Sequence, residues 1–358
     1  DDMTDEKPIN QWHIFKGDGR EPHDDIARLP DPPDWRAFKG DPTQAHEPPP
    51  LDPKDPEAYR GKKYKAGPEE VELVNAALYL RRPLLVTGPG AGKSSLAYAV
   101  AWELNLGPVL HWPVTTRTTI QDGLYSYDAI GRLQDSQMGW PPHLTRVVDG
   151  VPAEDAPACV LPDVGRFIRL GPLGTALLPA KRPRAVLIDE IDKSDIDLPN
   201  DLLNVFEEGR FPIPELVRLG EKHDTHVYPW KGAEPNVKIT GGEVLCSAFP
   251  FVVMTSNWER ELPRPFLRRC IRLDIDDPTE EKLADIVRSH FGERLDQGER
   301  EILIREFLNR RTPGSLATDQ LLNAVYLTLA NVDIRHAPEG GKSLLEAVLR
   351  RLDDAVRP

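Results

Sequence analysis

The stretch "LLVTGPGAGKSS", Leu84–Ser95, sets a short apolar run against three glycines and a Lys-Ser-Ser triplet. The run predicts a buried strand ending at Thr87. A helix is expected from about Lys93 to Leu104, with Leu96, Val100, Ala101 and Leu104 on its buried face. Glycines between such elements let successive backbone N–H groups turn inward, and the helix adds its positive end, so the loop suits a phosphate. The usual spacing places four residues between the first glycine and the Gly-Lys pair. Here Gly88 and Gly92 enclose only Pro89, Gly90 and Ala91. Alignment on Gly92-Lys93-Ser94 puts Thr87 in the first-glycine position, where extended backbone suits threonine. The N–H groups nearest a phosphate come from Gly90 through Ser94, so binding is expected despite the shortening. Lys93 would reach the β and γ phosphates, Ser94 would join a Mg²⁺ shell, and Ser95 could touch the α phosphate.

"RAVLIDEID" (184–192) supplies a second half: an apolar strand ending in adjacent carboxylates. Asp189 is expected to position Mg²⁺ and Glu190 to polarise an attacking water, while Asp192 is expected to cap the following segment. "MTSN" ends the next apolar strand, placed between the first and third in the sheet, and offers the Asn257 amide to the water or the γ phosphate. By itself this signal is weak, because asparagine commonly ends strands. "PFLRRC" carries Arg268 and Arg269, which suit either a surface salt bridge or the transition-state charge on a neighbouring γ phosphate.

The rest of the chain bounds these readings. Its 358 residues fit two or three domains, and a hydrophobic fraction of 39% supports a core. A net charge of −13, with no basic cluster beside aromatics, argues against a nucleic-acid motor. Cys159, Cys246 and Cys270 are widely spaced and odd in number, which fits neither a disulfide framework nor a metal cluster. With no membrane-length apolar run, the expected setting is cytoplasmic.

Residues 1–66 hold 11 of the 36 prolines and read as an extended segment, yet Trp12, Phe15, Trp35 and Phe38 are anchors that a solvated tail does not need. Docking along the body or a neighbouring subunit is expected. From Gly67, apolar runs at 83–87, 108–114, 184–190, 249–257 and 270–275 alternate with helical patterns, which implies a parallel sheet covered on both faces. Ligands of such sheets sit at the carboxyl ends of the strands, where the glycine loop, "DE" and "SN" all fall. "DDPTEEKL" (276–283) opens a small helical domain running from 278 to 358. Asp277 is read as its cap and Pro278 as its first helical residue, with helices near 279–291, 299–310, 316–330 and 342–354.

Taken in order, the glycine loop, "LIDE", "TSN", "LRRC" and a helical lid resemble the AAA+ ATPases over roughly residues 67–358. The chain looks most like their MoxR-like branch. "LYSYDAIGRLQDSQM" (124–138) resembles that branch's insertion near the second helix (about 118–150), and 227–248 stands where it carries a β-hairpin before the "TSN" strand. The resemblance implies a P-loop NTPase fold with a five-stranded parallel sheet between helices, and ATP and Mg²⁺ bound between subunits of a ring, often a homo-hexamer. It also implies Asn257 as sensor, with Arg269, or alternatively Arg268, as a finger reaching the next subunit. The implied activity is conversion of ATP and water to ADP and phosphate, coupled to chaperone-like remodelling of partner proteins. Those partners often include a protein with a von Willebrand factor A domain.

Two departures stand out: the short loop, and the lid segment "TPGSLATDQLL" (312–322), which has no arginine where the branch often carries one. Arg310 or Arg311 are the substitutes at hand. Both departures favour a second reading, a nucleotide-gated switch or scaffold with slow turnover. The motifs leave ATP against GTP open.

Overall fold

The computed structural model describes residues 12–19, 21–88, 92–138, 163–220, 223–230, 236–292, 294–310, 318–336 and 343–349. Its centre is a parallel sheet of five strands: β1 (Leu84–Thr87), β2 (Leu110–Pro113), β3 (Ala185–Asp189), β4 (Phe251–Thr255) and β5 (Ile271–Asp274). Their spatial order is β5-β1-β4-β3-β2, so β4 separates β1 from β3. β1 and β4 are buried throughout and β3 up to Asp189, as expected of strands covered on both faces.

Helix α1 (Pro56–Lys63) precedes α2 (Pro68–Leu80), which starts with proline at its first position; α3 (Lys93–Glu103) follows the glycine loop. The face of the sheet carrying Leu84, Val86, Leu187 and Val253 packs with Leu96, Val100 and Leu104 of α3. The opposite face joins Leu85, Val186, Ile188 and Met254 to α4 (Asp197–Glu208) through Leu198, Leu202 and Phe206. α4 ends at Gly209, whose φ of 62° is the left-handed conformation that closes a helix.

Within the region read as an insertion, a helix at Ile120–Leu124 starts with a Thr119–Asp122 capping box. Tyr125–Tyr127 then pairs antiparallel with Ile168–Leu170, and a helix covers Ala129–Met138. Residues 139–162, which include Cys159, lie outside the described residues. Before β4, Asp224–Val227 pairs with Val237–Thr240, and Glu243–Leu245 pairs with Arg210–Pro212. The stretch 227–248 thus divides between two antiparallel pairs.

The proline-rich segment is docked from Trp12 onward. Ile14 and Phe15 are fully buried in the α2/α3 core. Two such side chains contribute roughly 3–6 kcal/mol of burial, enough to offset the ordering of a few residues. Their N–H groups both donate to Asn75 Oδ1, at 2.7 and 3.0 Å, and Asn75 Nδ2 donates back to Phe15 O and Val71 O. The carboxylate of Glu103 accepts the N–H groups of Lys16 and Gly17. Farther on, Phe38 stacks on Phe249 with centroids 5.0 Å apart, and the Arg36 guanidinium lies over both rings. Trp35, expected as an anchor, is instead 77% exposed.

Helices α5 (Glu280–Phe291), α6 (Gln297–Arg310), α7 (Thr318–Leu329) and α8 (Leu344–Val348) close around a core of their own, including Leu283, Val287, Phe307 and Leu321. The cap of α5 is Thr279 rather than Asp277: its hydroxyl accepts from Lys282 N, and the helix starts two residues past Pro278. α5 docks on the sheet domain through Lys282–Glu70 at 2.7 Å and Ser289 Oγ to Lys63 O at 2.9 Å. Residues 311–317, with Arg311 and most of the lid segment, lie outside the described residues, as do 350–358. No described helix is long and apolar enough to cross a membrane.

Candidate active site

All five strands run the same way, so their carboxyl ends share one edge of the sheet. β1 delivers the glycine loop there, β3 delivers Asp189 and Glu190, and β4 delivers Asn257. Pro89, Gly90 and Ala91 lie outside the described residues; the two ends of the loop do not. Gly88 has φ +119°, and a Cβ on it would stand 2.1 Å from Ile275 O. Only glycine fits, both for its conformation and for the approach of the β5 end. Its carbonyl accepts a 2.6 Å bond from Lys93 Nζ, which ties the lysine to the residue at the start of the loop. Gly92, with φ +127°, starts α3, and Ser94 and Ser95 follow in its first turn, both half-buried.

Thr87 is the last residue of β1. It is buried, and its hydroxyl donates to Asp274 at the end of β5, fastening the root of the loop to the edge strand. Its hydroxyl is engaged within the sheet, and Thr87 ends the strand that leads into the loop.

Ser94 Oγ donates to Asp189 Oδ1 at 3.0 Å, joining residues 95 positions apart. The same oxygen accepts a 2.6 Å bond from Thr255 Oγ1, and His111 Nε2 lies 3.4 Å from Asp189 Oδ2, a contact longer than a good hydrogen bond. Burial opposes charge on Asp189, but His111, Thr255 and Ser94 outweigh it and hold the carboxyl below its usual range. Burial likewise depresses Lys93, against the pull of Asp189, Asp192 and Glu190.

A parallel sheet with β4 between β1 and β3, a glycine loop leading into Lys-Ser on a helix, and that serine bonded to an aspartate ending β3 decide the architecture. The fold is that of a P-loop NTPase. No family model matches the chain, and no curated protein matches it in sequence. Among solved structures it is similar to domain III of the replication initiation protein DnaA from Thermotoga maritima. The identity is 16%, over 87% of this chain and 100% of that one, with a TM-score of 0.38. A likeness of that size says nothing of activity.

Glu190 adopts φ 62° and ψ 50°, a left-handed conformation uncommon for a residue with a side chain. Thr255 Oγ1 holds it there by accepting its N–H at 2.8 Å. The Glu190 carboxylate is half-exposed at the sheet edge and paired with Lys193 Nζ at 2.7 Å. Asp192 does not cap the following segment. Its Oδ2 accepts the N–H groups of Asn257, at 3.0 Å, and Glu259, at 2.8 Å.

Arg268 and Arg269 are not brought to these residues. They precede β5, whose start pairs with Leu84 at the beginning of β1. A four-residue strand, roughly 13 Å, separates that edge from the site. Arg269 Nε bonds Glu207 Oε1 on α4 at 2.7 Å, Arg36 reaches Glu207 Oε2 at 3.2 Å, and the Arg268 carbonyl accepts from Arg82. Within one chain, the arginines serve a different face of the molecule.

No ligand is needed to test whether Mg²⁺ fits. A hydroxyl and a depressed carboxylate 3.0 Å apart form a hard-oxygen pair of the kind Mg²⁺ takes when it shares a site with phosphates. Ser94 and Asp189 would hold it. His111 and Thr255 were absent from the motif reading, although a lone histidine in the apolar run "PVLHWPV" was a usable signal.

Proposed function

We propose that the chain is a Mg²⁺-dependent ATPase of the AAA+ class, MoxR-like, that works as a ring and remodels partner proteins. The observation that carries the hydrolytic part is the Ser94–Asp189 bond, which unites the glycine loop with the acidic strand end beside buried Lys93. Bound between Ser94 and Asp189, Mg²⁺ would supply positive charge to the β and γ phosphate oxygens. The backbone of the loop and Lys93 would cradle the phosphates. Glu190, at the sheet edge, would orient water and take up its proton, with Asn257 on the adjacent loop to position it.

The distance of Arg269 from its own site supports a role only on a second copy, and so a shared site in a homo-oligomer, a hexamer by the resemblance. The order of motifs and the helices after Glu280 support AAA+. The MoxR-like assignment, the remodelling activity and a von Willebrand factor A partner rest on sequence resemblance. A cytoplasmic setting fits buried, free Cys246 and Cys270.

One contact favours the slow switch: Lys193 occupies the Glu190 carboxylate. The test is turnover of ATP and GTP against protein concentration, with Glu190→Gln as reference and Lys93→Ala as the variant that loses binding. Turnover per subunit that rises with concentration supports the shared site. Turnover no greater than that of Glu190→Gln at every concentration leaves only the switch.

A further inference from the structure

Asp192 is 1% exposed, yet it neither faces solvent nor caps a helix. It sits in the single turn Ile191–Lys193 that begins at Glu190, and its Oδ2 receives two N–H groups from the loop after β4. That loop is itself strained, because Trp258 between them has φ 58°. The N–H of Trp258 goes to Ser256 Oγ at 3.0 Å, so side chains satisfy three successive amides, 257 to 259. In the other direction Thr255, at the end of β4, accepts the N–H of Glu190. The two loops therefore clasp each other reciprocally: Thr255 holds the left-handed Glu190, and Asp192 holds the residues on either side of the left-handed Trp258. The second oxygen of Asp192 is buried with no hydrogen-bond partner among the described residues. Burying a half-satisfied carboxylate is costly, and its return is the stronger hold a charged acceptor has on a strained turn.

We propose that Asp192 is a positioning residue for hydrolysis, fixing Asn257 relative to Glu190 so that the two act on one water. This rests on the hydrolytic reading above. Its consequence is that Asp192 acts through Asn257 and on turnover, while nucleotide affinity, set by the loop and Lys93, is left alone.

The experiment compares Asp192→Ala, Asp192→Asn, Asn257→Ala and the double variant Asp192→Ala/Asn257→Ala in the full chain. It measures kcat and KM for MgATP, the Kd of a fluorescent ATP analogue, and thermal midpoint. Asp192→Ala is expected to lower kcat about 10- to 100-fold with Kd within about 3-fold of the parent. Asp192→Asn, which keeps an oxygen for both amides, is expected to fall between it and the parent. The double variant is expected to be no slower than Asn257→Ala alone. Should the alanine protein not fold, Asp192→Glu, which displaces the same acceptor, is expected to lose kcat at unchanged Kd. The inference is overturned if the parent turns over and kcat survives Asp192→Ala, or if the two single losses multiply in the double variant. It is equally overturned if Kd worsens in step with kcat. A parent with no turnover overturns the hydrolytic reading itself and this inference with it.

Discussion

Thr255→Val removes one hydroxyl and keeps the shape of the side chain, at a position 2% exposed. Two bonds go with it. The Glu190 amide loses its acceptor, which costs about 1–3 kcal/mol where water cannot replace it. Asp189 loses a charge-assisted bond at 2.6 Å, worth about 1.5–3 kcal/mol. Ser94 still donates to the same Asp189 oxygen and recovers part of this, so a net loss of about 2–4 kcal/mol is expected. The methyl that replaces the hydroxyl is slightly larger and cannot hydrogen-bond, and the lost bonds are expected to dominate. Equilibrium denaturation in urea of parent and variant reads the loss as a shift in midpoint at constant slope. Turnover should fall as well, since both Asp189 and the backbone of Glu190 are released. A variant within about 0.5 kcal/mol of the parent would refute the claim that this hydroxyl organises the acidic turn.

Asn75→Ala deletes four hydrogen bonds and leaves the amides of Ile14 and Phe15 without their acceptor. The proline-rich segment should then loosen by about 2–4 kcal/mol, seen as faster tryptic cleavage at Lys16; an unchanged cleavage rate would remove Asn75 as its anchor. Burial raises the thiols of Cys246 and Cys270 from 9.0 to about 12. The folded state thus prefers the neutral thiol, and the stability this brings is whole below pH 9.0 and lost as pH rises towards 12. Iodoacetamide mapping at pH 8 should leave both unlabelled until the protein is unfolded, and labelling of the native protein at the rate of a free thiol would count against that burial.

The strands of the sheet were legible because each is a short apolar run that stops at a polar motif. Gly88, Lys93, Ser94, Asp189, Glu190 and Asn257 fall near one sheet edge for the same reason: parallel strands end together. Lateral contacts were not legible. Thr255 meets Asp189 because β4 lies beside β3 with Met254 opposite Ile188, and His111 joins them because β2 flanks β3 on the other side. Neither neighbour is close in sequence. The place of Thr87 at the end of its strand was legible, but its bond to Asp274 across the sheet was not. The proline-rich segment docks for a reason spread over distant residues. Its backbone amides are satisfied by buried Asn75 and Glu103, polar residues inside helices otherwise patterned as core.

Glu207 is a carboxylate with two cations, one supplied by Arg269 and one by the docked segment through Arg36. An arginine that leaves an ordinary ion pair strands a bare carboxylate behind it. Here Arg36, itself 5% exposed and seated over two aromatic rings, stays in place and keeps Glu207 neutralised. Were Arg269, which also donates to Pro265 O, to leave Glu207, the carboxylate would keep Arg36 as its partner. Replacing Arg36 by a neutral residue would leave Arg269 as the sole cation on Glu207 among the described contacts, and is expected to tighten that pair.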